Sequence, residues 1–160
     1  MIRRFAPRLA RIAFIPLILM IEPPNASAAL GGTVSSVDAD RVHVQGALMR
    51  IVQNGPVAMH ELRSSSGTMI REYVNSSSGT VFAVAWDGPW LPDLRQVFGD
   101  HFDHYQAAMR SRQQSRTARG VVAIDGGGLV VQMSGHPRAF VGRAYLAGSL
   151  PAGIQLETIR

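Results

Sequence analysis

The sequence predicts an α+β domain: a mostly antiparallel sheet, built as a β-meander plus a later hairpin, with one long amphipathic helix packed on it. Three observations predict it. Thr80 to Trp86 holds two valines, a phenylalanine, a tryptophan and a threonine with no charge, the composition of a strand. Asp87-Gly88-Pro89-Trp90-Leu91-Pro92 then stops the sheet, because neither proline can donate to a ladder. From there Leu91, Leu94, Phe98, Phe102, Tyr105 and Met109 recur at steps of three and four, an apolar stripe at helical period.

Within the strand, simple alternation places Phe82, Val84 and Trp86 on one face and Val81, Ala83 and Ala85 on the other. The large residues are expected to meet the helix, and the small ones leave room for something to pack close. Pro92 suits the first helical turn, where its missing N–H costs nothing, and Asp93 complements the helix dipole. Gly99 inside the helix marks either a close backbone approach or a break into two shorter helices.

The N-terminus has the three parts of a secretory signal peptide. Arg3, Arg4, Arg8 and Arg11 form a basic region, Ile12 to Ile21 an apolar run, and Ala26-Ser27-Ala28 a cleavage site. Residues 1–28 are therefore expected to be removed between Ala28 and Ala29, leaving a periplasmic or secreted protein with no transmembrane span. Residues 29–46 read as a flexible lead-in and residues 47–160 as a single α+β domain.

Ala47 to Gln53 and Val57 to Arg63 read as strands around the turn Asn54-Gly55-Pro56. Ser64-Ser65-Ser66-Gly67-Thr68 returns as Ser76-Ser77-Ser78-Gly79-Thr80, bracketing a strand from Met69 to Val74. That spacing is one strand plus one loop, a meander rather than a solenoid. After the helix, Val121 to Asp125 and Leu129 to Ser134 flank Gly126-Gly127-Gly128 as a hairpin. Ala139 to Leu146 follows as a strand, and Ile154 to Ile159 as a short terminal one.

Composition excludes several kinds of chemistry. The chain has 160 residues and no cysteine, so disulfides, thiolate nucleophiles and cysteine metal ligands are absent. All 16 basic residues are arginine. Residues 1–28 hold four of them and one acid, Glu22, so the remainder carries 12 arginines against 10 acids, a net +2. This modest charge argues against a nucleic-acid partner. The glycine trio lacks the lysine of a phosphate loop, and the serine-rich turns lack a nucleophile elbow.

Arg71-Glu72-Tyr73-Val74, Gly79-Thr80-Val81-Phe82-Ala83-Val84-Ala85-Trp86 with Gly88-Pro89, Pro92-Asp93-Leu94-Arg95, Gly142-Arg143-Ala144-Tyr145-Leu146 and Leu150-Pro151-Ala152-Gly153 occur in that order. With Ala29-Leu30-Gly31-Gly32 after the signal segment, they resemble a bacterial family of exported proteins, domain of unknown function 2844. The resemblance implies a small exported protein without an assigned activity. It supplies no catalytic residue and no cofactor.

Three constellations remain as candidates. His101 and His104, three apart on the helix beside Asp100 and Asp103, are metal-ligand candidates that lack a third donor. His43, His60 and His136 are the only histidines left to supply one. His60-Glu61 and Arg71-Glu72-Tyr73 lie on strands expected to be neighbours, so Glu61 facing Arg71 would be an ordinary cross-strand ion pair. A network reaching Arg143 and Tyr145 is open as a contact surface, and a buried Glu72 would have to be paired. Arg110, Arg112, Arg116 and Arg119 form a basic run that suits an anionic lipid or glycan, or simply complements the helix dipole. Trp90, in a Pro/Gly-rich loop, is the candidate for an exposed aromatic contact.

These readings favour a non-enzymatic binding or envelope-associated module with no cofactor, its partner an envelope protein or an acidic glycan. The alternatives are a metal-assisted or acid–base enzyme using His101, His104 and Glu72, and an anion-binding surface at the arginine run.

Overall fold

The computed structural model describes residues 30–34, 47–114, 122–123 and 128–160. The expected signal segment, His43, Arg116, Arg119 and most of the glycine-trio turn lie outside the described residues. Among the described residues, seven antiparallel strands form one sheet: β1 Ala47–Asn54, β2 Val57–Arg63, β3 Met69–Asn75, β4 Thr80–Gly88, β5 Val122–Ala123, β6 Leu129–His136 and β7 Ala139–Leu146. Their spatial order is β1-β2-β3-β4-β7-β6-β5, so β4 lies at the centre with the meander on one side and the later hairpin on the other. The expected meander and hairpin are both there, joined by the pairing of β4 with β7.

The helical stripe forms as expected and breaks at Gly99. Helix α1 spans Leu94–Phe98, a 3-10 turn spans Gly99–His101, and helix α2 spans Phe102–Gln114. Gly99 adopts φ +48°, a value that a glycine reaches without strain. Asp93 caps α1 by accepting from the Arg95 amide at 2.9 Å, so Pro92 stands just outside the helix rather than in its first turn. Leu91 consequently lies in the loop and is exposed, although it continues the stripe in sequence.

Phe98 and Tyr105 are buried, and Leu94, Phe102 and Met109 pack against the same core. That core includes Leu62, Ile70, Val84, Trp86, Leu129 and Val131 from the sheet. Each large side chain so buried contributes about 1.5–3 kcal/mol. Trp86 is 1% exposed, and its register partner on β7 is Gly142.

The expected facing of β4 needs one correction. Register shifts between Tyr73 and Val74, which oppose Ala83 and Val81, so Phe82 is an extra residue on β4. The bulge moves Phe82 from the helix face to the opposite one, where it joins Ala83 and Ala85. Val81 moves the other way and packs in the helix-side core.

That opposite face is covered by the last residues of the chain. Ile154 to Ile159 does not form the expected strand. Its amides are satisfied locally instead: Thr158 N–H donates to Gln155 O at 3.0 Å and Ile159 N–H to Leu156 O at 3.1 Å, a 3-10 turn at Leu156–Thr158. Ile159 is 1% exposed against Tyr73, Phe82, Ala83, Ala85 and Tyr145.

Five residues of the lead-in have a defined place. Leu30 is buried in the helix-side core, and its amide donates to Val97 O at 3.2 Å. Gly31 N–H donates to Val81 O and Val81 N–H to Gly32 O, each at 2.8 Å. The segment thus extends the sheet where β7 ends. Among the described residues, no helix is long and apolar enough to cross a membrane.

Candidate functional site

The face covered by the tail carries a polar row across six strands. In register order it reads Arg50, Glu61, Arg71, Ala85, Arg143 and Gln132. Arg71 Nε donates to Glu61 Oε2 at 2.8 Å, and Arg50 Nε lies 3.2 Å from Oε1. Arg143 Nε donates to Gln132 Oε1 at 2.7 Å. The central Ala85 leaves space between the two inner guanidinium groups. Arg71 and Arg143, predicted as contact residues, therefore do share a surface, but they are engaged with the chain's own tail. Arg143 Nη1 donates to the carbonyls of Leu156 and, at 3.2 Å, Ile159. Arg71 Nη1 donates to Arg160 O at 3.2 Å.

Burial pushes the Glu61 carboxyl up, but the Arg71 hydrogen bond and the charges of Arg50 and Arg71 outweigh it. The group sits below its ordinary value of 4.5. A depressed folded-state value stabilises the protein above the unfolded pKa, and that stability is lost as pH falls through the folded one. Wild-type protein is thus expected to lose stability on acidification below about pH 4.5, and a Glu61→Gln variant to show a flatter acid limb. Urea midpoints measured from pH 6 downward check this, and parallel limbs would contradict it.

Glu72 does not belong to that row. It points to the helix face, is 3% exposed, and lies directly across from His60, which is 7% exposed. Two buried titratable side chains thus stand opposite each other on the helix-side face, with Val84 across from Glu72 on β4. His101 and His104 are not part of it. His101 is half-buried, with its Nε2 near Gly31, and His104 is exposed. His136 sits exposed in the β6–β7 hairpin. Among the described residues, no three His, Cys, Asp or Glu side chains converge as metal donors. The geometry therefore does not bring His101, His104 and Glu72 into one site. Of the arginine run, Arg110 is exposed on α2, Arg112 lies in α2, and the other two are outside the described residues.

Trp90 stands apart from all of these. Its indole is exposed, at 58% for the residue, and Leu91 beside it is exposed too. The backbone beneath is held firmly. Thr68, 1% exposed, donates its hydroxyl to Trp90 O at 2.7 Å and accepts from Trp90 N–H at 3.3 Å. Thr68 is itself braced, because its amide donates to Ser64 Oγ at 3.1 Å. Gly88 lets the two loops approach: a Cβ there would lie 2.5 Å from Thr68 Cα. Next to Leu91 a groove of about 560 Å³ runs between the loop and α2, with Phe102, Tyr105 and Met109 lining it and Arg95 and Arg110 at its rim. The Arg95 guanidinium carbon lies 4.6 Å from the centre of the Phe102 ring.

Sequence reasoning singled out Trp90 but missed Thr68, treating the serine-rich turn only as a loop. The clue was a threonine closing that turn two strands before a Gly-Pro-Trp loop, because antiparallel pairing of those strands brings the two loops together. It also missed the tail-binding role of Tyr73, whose hydroxyl contacts backbone atoms of Thr158 and Arg160.

A two-faced antiparallel sheet, roofed by helices on one side and by its own tail on the other, with a braced aromatic loop at its end, defines a small α+β domain. The chain belongs to the family described as protein of unknown function (DUF2844), whose model matches residues 26–159. Comparison with curated proteins and with solved structures gave no significant match.

Proposed function

We propose that the protein is an exported, non-enzymatic envelope module that holds a partner at the Trp90 loop and the groove beside it. The observation that carries this is an indole held out in solvent on a backbone fixed by a buried threonine. A rigid exposed indole offers a large contact area at little entropic cost on binding. Leu91 and the aromatic floor of the groove extend that area. Arg95 and Arg110 outnumber the one carboxylate that lines the groove, Asp93, and favour an anionic partner, an acidic glycan or an acidic protein surface in the envelope. Export rests on the basic, apolar and Ala-x-Ala parts of residues 1–28.

The test compares wild type and Trp90→Ala, each recovered from the exported fraction with Ala29 as its first residue. Recovery of envelope partners is expected to fall about tenfold or more with the variant. Thermal unfolding should stay unchanged, since an exposed side chain contributes little to folding. Equal recovery by the two proteins would reject the assignment.

A further inference from the structure

The sheet face opposite the helices is covered by a segment with no strand ladder to hold it. What holds the tail is a set of side-chain donors aimed at its backbone. Arg143 reaches the carbonyls of Leu156 and Ile159, Tyr73 OH those of Thr158 and Arg160 at 3.3 and 3.0 Å, and Arg71 that of Arg160. Carbonyls are common to every peptide, so these contacts select a backbone path and not a sequence. Selectivity falls to aliphatic side chains, chiefly Ile159, seated where Ala83 and Ala85 leave the sheet surface low between Tyr73 and Tyr145, with Ile154 and Leu156 half-buried against the same cluster.

We propose that this face is a docking site for a short peptide segment with an aliphatic anchor, and that residues 154–160 are its internal occupant, displaced when a partner's segment binds. Two further observations support displacement. First, the face is larger than the tail that covers it. A hollow of about 410 Å³ lies on the Val57 side of Ile159, and one of about 440 Å³ lies past Arg160 between Arg50, Met59 and Val141. A longer segment fills space that the tail leaves empty. Second, the tail is a thin cover: Gln155, Glu157, Thr158 and Arg160 are exposed, and a turn with Gly153 at φ +81° connects it to the fold. This site is separate from the Trp90 groove and shares no residue with it, so either assignment can fail alone.

The probe is a fluorescent peptide with the sequence of residues 152–160, titrated into the exported chain, residues 29–160, and followed by anisotropy. Wild type is expected to bind weakly, because its own tail competes. An Ile159→Asp chain, whose tail no longer seats, should bind the peptide about tenfold tighter or more. Adding Arg143→Ala to that chain should remove about tenfold of the gain, because Arg143 holds two of the carbonyls. A folded Ile159→Asp chain that binds no better than wild type, or an Arg143→Ala change without effect, would overturn the proposal. Should Ile159→Asp fail to fold, hydrogen exchange on the unaltered chain decides. The amides of Ile159 and Arg160 are expected to open separately from β4 and to exchange about tenfold faster or more. Equal protection of the tail and β4 would overturn the proposal.

Discussion

Phe98→Ala is expected to destabilise the protein by about 3–5 kcal/mol, the range for removing a fully buried aromatic side chain from a core. Phe98 has no exposed surface, and its ring centre lies 4.9 Å from that of Tyr105 and 6.4 Å from that of Trp86. It is therefore the contact through which α1, α2 and β4 hold one another. The neighbouring Gly99 restricts repair, because the helix already breaks there and the 3-10 turn fixes the angle between α1 and α2. Domains of this size have net stabilities of about 5–15 kcal/mol, so the variant loses a large share of the total. Urea unfolding followed by tryptophan fluorescence, in a Trp90→Phe background so that only Trp86 emits, measures it. A loss under about 1 kcal/mol would mean that the helices are not anchored to the sheet in this way.

The second large effect has the opposite cause, a side chain with no space to occupy. A Cβ on Gly142 would lie 2.3 Å from Cζ2 and 2.5 Å from Cε2 of the Trp86 indole. The indole cannot swing away, because it is buried against Phe98. Gly142→Ala is therefore expected to cost about 1–3 kcal/mol by overpacking. Trp86→Phe in the same chain should recover part of that loss, since the smaller ring vacates the contested volume. Midpoints of thermal unfolding for the two single variants and the double variant check the coupling. Strict additivity would show that the two residues do not compete for space.

Most of the sheet is legible in the sequence because its signals are local. The turns at Asn54-Gly55-Pro56 and Pro137-Arg138 bound β2 and β7, and apolar composition marks β4. The helix stripe is likewise a matter of spacing between neighbours. What escaped is what depends on counting or on distant pairing. The extra residue at Phe82 does not alter the composition of β4, yet it reverses which side chains reach the helices. The tail looked like a strand because it is apolar and short, but no sheet edge is open to it where it lies. Its partners on the sheet bind carbonyl groups, which leave no mark in a sequence. Alternation along the strand already sets Glu72 on the face opposite Arg71 and Tyr73, but only the β2–β3 register reveals His60 as the residue across from Glu72.

The Trp90 loop, proposed above as the place for a partner, lies outside both covered faces. Helices cover one face, the tail covers the other, and Thr68 fixes an aromatic side chain beyond both. The direct measurement is photo-crosslinking in cells, with a benzophenone amino acid at position 90 and, as control, at position 107 on the exposed side of α2. Discrete adducts of higher mass are expected from position 90 and none from position 107. No adduct from position 90, or the same adducts from both positions, would contradict the proposed partner site.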